Sequence, residues 1–393
     1  MNRNTYFSKG FVYSVRPDGI TCALHGGGVC AEKELVIPDV IDGYRKTDVF
    51  ESAFCYCVAS IADGAFRDTA HLTAAVIPDS VTEIGAWAFS FCGNLTSAVI
   101  PDSVTCIGEG AFSYGKRLAS AVIPDSVTYI GEGAFAGAGA LIVSPDHPNY
   151  LSDGGALYSG DGKTLLHYDA TSAATEFRIP DSVTRIGNGA FVGCESLVSI
   201  FIPDSVTEIG ESAFRDCVRL AEAVIPDSVT DMGARAFFGC LSLRTAVIGR
   251  SVKRIGEGAF AGCVSLASME LPDSVTGIGF EAFSGCVSLA SLIIPASVTS
   301  IGEKESDMRI DGREPDFFHP LVSRGVFNNC KNLKDLVYKG TKKQWKAIRF
   351  GYGLAYSWRI YSYVRSVERM GQRFNKFIYF DQDQASTKRH KRK

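Results

Sequence analysis

The sequence predicts a repeat solenoid, mainly strand and irregular coil, with one turn per 23 residues or so. Two observations carry this. Ile-Pro recurs at Pro78, Pro101 and Pro124, at Pro180, Pro203 and Pro226, and at Pro295, with Leu271-Pro272 and Ile248-Gly249 filling the gaps, so that every step from Pro180 to Pro295 is 23 residues. Each unit reads approximately Ile-Pro-Asp-Ser-Val-Thr-x-Ile-Gly-x-x-Ala-Phe-x-x-Cys-x-x-Leu. A coil this short cannot bury an apolar stripe by itself, so its stability must come from stacked neighbours. Length alone, 393 residues, predicts two or three domains; the repeat replaces that expectation. With 46% hydrophobic residues and a net charge of −3, the chain is not mainly disordered. No stretch approaches the ~18 consecutive apolar residues of a spanning helix.

Taken in order, residues 1–36 read as an N-terminal cap. Phe11-Val-Tyr-Ser-Val15 and Ile20-Thr-Cys-Ala-Leu24 flank Pro17-Asp-Gly19, a hairpin pattern suited to covering the first coil. The repeats run from 37 to 340. Ala-Phe landmarks at Phe54 and Phe66 lie 12 apart, which predicts a truncated coil there. Within a regular coil, Leu197 to Pro203 shows the period of two of a strand, with Ile200 and Ile202 on one face and Ser199 and Phe201 on the other. Proline ends the strand because it has no N–H for the ladder, and Asp204-Ser205 supply turn chemistry. Val206 to Phe214 returns the chain, with Ile209 and Phe214 as inward anchors and Gly210 and Ala213 small enough for close passage.

Two insertions interrupt the period. The first, near 143–176, carries Gly155-Ala-Leu-Tyr158 and Lys163-Thr-Leu-Leu-His-Tyr168 around Ser159-Gly-Asp-Gly162, a second hairpin pattern. The other, near 303–323, is charged and reads as a solvated loop. Residues 341–393 form the last segment. Thr341-Lys-Lys-Gln344 is a capping box opening a short helix through Trp345 and Ile348, placed to close the end of the core.

The pattern Leu-x-x-(Ile/Ala)-x-Ile-Pro-x-x-Val-x-x-Ile-Gly-x-x-Ala-Phe-x-x-Cys resembles the leucine-rich repeats of the BspA type, also described from Treponema proteins, over roughly residues 37–340. The resemblance implies a leucine-rich-repeat solenoid, a right-handed horseshoe with a concave parallel β-sheet. It also implies cell-surface or secreted adhesion by binding protein or glycan partners, with no catalytic activity and no cofactor. Met1–Gly10 is polar, and no apolar export segment follows it.

Twelve cysteines invite a metal or disulfide reading. Yet Cys92, Cys194, Cys217, Cys240, Cys263, Cys286 and Cys330 share one slot three residues after Phe, as does Cys57 after Phe54. Elsewhere that slot holds Thr69, Gly115 and Ala138, so small volume is the selected property and buried thiols are expected. Stacked coils would bring neighbouring thiols within disulfide range, so sporadic bonding stays open. Cys-x-x-Cys is absent, and no metal is expected. Gly131-Glu-Gly-Ala-Phe-Ala-Gly137 has the wrong spacing for a phosphate loop, and six histidines form no hydrolase or metalloprotease motif. Asp79, Asp102, Asp125, Asp181, Asp204, Asp227 and Asp273 form a ladder after the proline; it reads as turn chemistry, with a bridging cation as the alternative.

The outward position of each strand is more informative. If Ala98 and Ile100 face inward, Val99 faces out, and the equivalent residues are Val76, Val122, Arg178, Phe201, Val224, Val247, Glu270, Ile293 and Val337. β-Branched residues suit any strand surface. A continuous apolar stripe, edged by residues such as Ser97, Ser120 and Glu222, also suits a protein or glycan partner. The tail differs from everything before it. Residues 341–393 hold 14 Lys or Arg against three acidic residues, a balance of +11, which leaves −14 for residues 1–340. Its end, Lys388, Arg389, Lys391, Arg392 and Lys393, interrupted by His390, suits nucleic acid or another polyanion. It equally suits folding back on the acidic repeats, or a poorly ordered extension.

Overall fold

The computed structural model describes residues 5–8, 11–15, 21–27, 34–38, 40–46, 51–303, 325–350 and 378–380. It is a parallel-sheet solenoid that divides into two compact units, residues 1–172 with 189–191, and residues 173–188 with 192–393.

Each regular coil contributes a strand to two parallel ladders. In the first unit the three-residue strands Glu34–Val36, Ala74–Val76 and Ser97–Val99 pair in register, as do Ser120–Val122 and Ala140–Ile142. Glu83–Ile84, Cys106–Ile107 and Tyr129–Ile130 build the other ladder. The second unit repeats the scheme, for example with Ser268–Glu270, Ser291–Ile294 and Asp335–Tyr338 in one ladder and Arg254–Ile255 beside Gly277–Gly279 in the other.

The repeat's letters now have physical roles. Proline opens a turn closed by Val104 N–H donating to Pro101 O at 3.0 Å. The serine after Asp donates to the valine carbonyl of the preceding coil, as Ser103 Oγ does to Val81 O and Ser274 Oγ to Val252 O, both 2.7 Å. Threonine does the same one step on: Thr105 Oγ1 donates to Thr82 O and Thr128 Oγ1 to Thr105 O, both at 3.2 Å. The glycine after isoleucine is required by close passage. A Cβ on Gly108 would lie 2.5 Å from Ala86 N, and one on Gly210 2.7 Å from Asn188 N, both backbone atoms of the adjoining coil.

Phenylalanine forms the spine. Phe66, Phe89, Phe112 and Phe135 stack at 5.2 Å in the first unit, and Phe214, Phe237, Phe260, Phe283 and Phe327 at 5.0–6.0 Å in the second. Offset stacking of this kind adds about 0.5–1.5 kcal/mol per pair to area burial. Left-handed backbone turns the chain two residues before and two after each Phe, for example at Gly110 and Tyr114 around Phe112. Such a conformation favours glycine, yet Trp87, Phe91, Ser212, Arg235 and Glu281 also adopt it.

The irregular parts follow their sequence in most cases. Phe11–Val15 pairs antiparallel with Thr21–Gly27, as the hairpin pattern predicts. Tyr150–Asp153, Ala156–Ser159 and Thr164–Tyr168 form an antiparallel meander, one strand more than the hairpin expected within the first insertion. Helix Lys342–Ala347 carries the expected capping box, and buried Trp345 meets Tyr338 edge-on at 5.2 Å.

The truncated coil is a misreading. Ala53, Phe54 and Cys57 lie in an eleven-residue strand, Glu51–Ile61, antiparallel to Val40–Lys46, and Cys57 is exposed rather than in the small slot. This run has no Ile-Gly before its Ala-Phe, and Phe54, Cys55, Tyr56, Cys57 and Val58 favour extended backbone. The first true corner is Ala65-Phe66. Most of the second insertion, 304–323, and the polybasic Lys388–Lys393 run lie outside the described residues.

Candidate functional site

The candidate surface is the outward face of the three-residue strands. Alternation places it: Ala98 is 8% exposed and Ile100 6%, while Val99 between them is 62% exposed. Short strands bounded by the proline turn repeat this arrangement coil after coil. In the first unit Val76 and Val122 share the row with Val99. Val36 and Ile142 extend it, in register with Val76 and Val122. Sequence reasoning missed both. Val36 precedes a legible Ile37-Pro38, but Ile142 is followed by Val143-Ser144, where serine replaces the marker proline.

The second unit keeps Phe201, Val224 and Val247 exposed but varies the chemistry around them. The Arg178 guanidinium lies 3.9 Å from the Phe201 ring centroid and 3.6 Å from the Asp181 carboxylate. Glu270 accepts from Lys339 Nζ at 2.7 Å, so an ion pair interrupts the apolar row. Ile293 and Val337 are half-buried. Ser97, Ser120 and Glu222 are exposed at the edge, as expected.

Ten large hydrophobic side chains are exposed among the described residues, and eight of them, all but Tyr129 and Leu151, occupy this one outward position. Scattered surface hydrophobics need no explanation; concentration at a single structural position does.

The cysteine slot is a packing position with an added function. Cys92, Cys194, Cys217, Cys240, Cys263 and Cys286 are buried free thiols. Cys92, Cys240, Cys263 and Cys286 Sγ donate to the phenylalanine carbonyl of the preceding coil at 3.1–3.2 Å. Cysteine therefore fills a small space while satisfying a buried acceptor, a reason that volume alone did not reveal. Burial pushes the Cys240, Cys263 and Cys286 thiols well above their ordinary range and Cys330 up to about 12. They are poor nucleophiles there.

The two histidines of the first insertion are also structural. His167 is wholly buried with Nε2 2.8 Å from Gly139 O, and desolvation lowers its pKa to about 4. His147 Nδ1 accepts from Asn149 N–H at 3.1 Å, while its Nε2 faces Pro124 O at 3.0 Å. Two members of the Asp ladder bond the following coil: Asp227 Oδ1 accepts from Arg250 N–H at 2.8 Å, and Asp125 Oδ1 from Ser144 Oγ at 2.7 Å. No described helix is long and apolar enough to cross a membrane.

Solved structures share this architecture. A leucine-rich repeat protein from Eubacterium ventriosum matches with a TM-score of 0.59 at 23% identity, over 84% of this chain and 89% of that one. The pneumococcal vaccine antigen PcpA matches with a TM-score of 0.52 at 16% identity, over 86% and 88%. No curated protein sequence matches the chain. The model of the BspA type leucine-rich repeat region, however, matches six copies across residues 44–148, 167–249 and 231–352, and the chain belongs to that family.

Proposed function

We propose that the protein is a non-enzymatic recognition or adhesion protein that binds a protein partner through the outward face of its three-residue strands and its inserted segments. The observation that carries this reading is the collection, among the described residues, of eight of ten exposed large hydrophobics in one row position. Polar residues could stand there at little cost, since the position is solvated. Five of them, Val36, Val76, Val99, Val122 and Ile142, are 49–63% exposed and stand in one row of the first unit, a concentration that favours an interaction patch. Their chemistry favours protein over sugar. Saccharides are held by stacking on aromatic faces and by dense hydrogen bonding, whereas Phe201, the one aromatic of the row among the described side chains, already carries the Arg178 guanidinium. Polar Ser97 and Ser120 beside the valines make the rim of an apolar centre.

The test is binding of the purified chain to an array of immobilised matrix proteins and glycans, repeated with Phe201→Asp and Val224→Asp combined. Binding to a protein spot that falls at least tenfold in the variant, with an unchanged circular-dichroism spectrum, supports the proposal. Retained binding moves the site elsewhere, and binding to glycans alone replaces the partner class.

A further inference from the structure

The outward face of the second unit carries a charge pattern that the apolar row does not explain. Eight exposed carboxylates border it: Glu176, Asp181, Asp204, Glu222, Asp227, Glu270, Asp273 and Asp335. Three already hold cations of the chain, Arg178 on Asp181, Arg250 on Asp227 and Lys339 on Glu270. Among the described residues the other five, Glu176, Asp204, Glu222, Asp273 and Asp335, have no cationic partner. Three of the eight places are thus taken by cations of the chain, and among the described residues five are not.

The C-terminal segment arrives at this face. Ile378–Phe380 pairs in parallel with Asp335–Tyr338, with Tyr379 opposite Val337, and so adds a rung to the ladder that bears the outward row. Residues 381–393 follow, with five cations, Lys388, Arg389, Lys391, Arg392 and Lys393. Reach agrees with the spacing. Extended chain covers about 3.3 Å per residue, which takes Lys388 up to about 26 Å from Phe380 and Lys393 up to about 43 Å. Adjacent strands lie about 4.8 Å apart, so the coils of Asp273, Glu222 and Asp204, three, five and six steps away, are at about 14, 24 and 29 Å.

We infer that residues 381–393 fold back along the outward face of the second unit and seat their cations on its unpaired carboxylates. The contact covers the row that contains Phe201, Val224 and Val247, so the tail acts as an internal competitor for any partner of that row. The inference goes beyond the proposed partner binding and stands or falls without it.

The experiment uses a labelled synthetic peptide of residues 381–393 and three full-length proteins: the native chain, a chain with all five tail cations changed to Gln, and that chain further carrying Asp204→Asn, Glu222→Gln and Asp273→Asn. Fluorescence anisotropy at low salt should show the peptide binding the Gln-tail chain. Binding should weaken at least tenfold to the native chain, whose own tail occupies the site at high effective concentration. It should weaken at least tenfold with the carboxylate changes or in 0.5 M salt, where exposed pairs are screened. Equal thermal melts confirm that all three are folded. Equal peptide binding to native and Gln-tail chains, or none to the Gln-tail chain, overturns the inference. So does an oligonucleotide that binds the native chain as tightly as it binds the free peptide, because the tail would then be available to a polyanion.

Discussion

Phe237→Ala removes an interior ring of the stacked spine in the second unit. Phe237 is fully buried, with Phe214 at 5.0 Å and 11° on one side and Phe260 at 5.5 Å and 1° on the other. Truncating a buried phenylalanine costs about 3–5 kcal/mol, including the cavity left behind. Loss of two stacked partners, each about 0.5–1.5 kcal/mol, places this site near the upper end, at about 5 kcal/mol. Among the described residues Phe327 ends the same stack, 7% exposed and with Phe283 alone beside it at 6.0 Å, and its truncation should cost about 3 kcal/mol. Nearest-neighbour coupling adds a second signature: cutting the middle of a solenoid separates the melting of its two sides, whereas trimming an end does not. Urea denaturation followed by circular dichroism reads both. Equal losses at the two positions, or less than about 1 kcal/mol at Phe237, would refute the idea that coil-to-coil ring stacking holds the spine together.

The remaining predictions probe single parts of the coil. Gly108→Ala forces a Cβ against backbone 2.5 Å away and should destabilise by more than about 2 kcal/mol, whereas Gly93→Ala, with nothing within 4 Å, should be close to neutral by thermal melt. For His167 the folded pKa is depressed from 6.5 to about 4, so the unfolded state binds the proton first. Its contribution is complete above about pH 6.5 and is lost as pH falls toward 4, by about 3 kcal/mol in all; His167→Gln should flatten that part of the stability–pH curve. Cys240, Cys263 and Cys286 should be silent to a thiol reagent at pH 8 in the native state and react fully in denaturant; rapid native labelling contradicts their burial.

Much of the architecture was readable because a copied coil writes each physical constraint many times. Ile-Pro located the strand ends, and the alternation of Ala98, Val99 and Ile100 assigned faces correctly. Thr341 and Gln344 located the helix start. Other features lay beneath the pattern. Ala53-Phe54 copies the corner dipeptide without the Ile-Gly that precedes it in the regular coils, so a long strand was mistaken for a coil. The left-handed sites at Trp87, Phe91 and Arg235 escaped notice because side chains stand where other coils use glycine. Sulfur-to-carbonyl hydrogen bonds are likewise invisible in composition, which showed only that the slot is small. At the candidate surface, sequence named the row from Val76 to Ile293, but not Val36 or Ile142 and not the Lys339–Glu270 pair, whose partners are 69 residues apart.

The central claim is that the outward valines are kept for recognition rather than for strand packing, and an isosteric exchange separates the two. Val76, Val99, Val122, Val224 and Val247 are 49–62% exposed. Changing all five to Thr keeps the β-branched shape that strands favour while removing apolar surface. The account predicts an unchanged thermal melt together with at least a tenfold loss of binding to the protein captured on the array. A lowered melt with binding intact would contradict it.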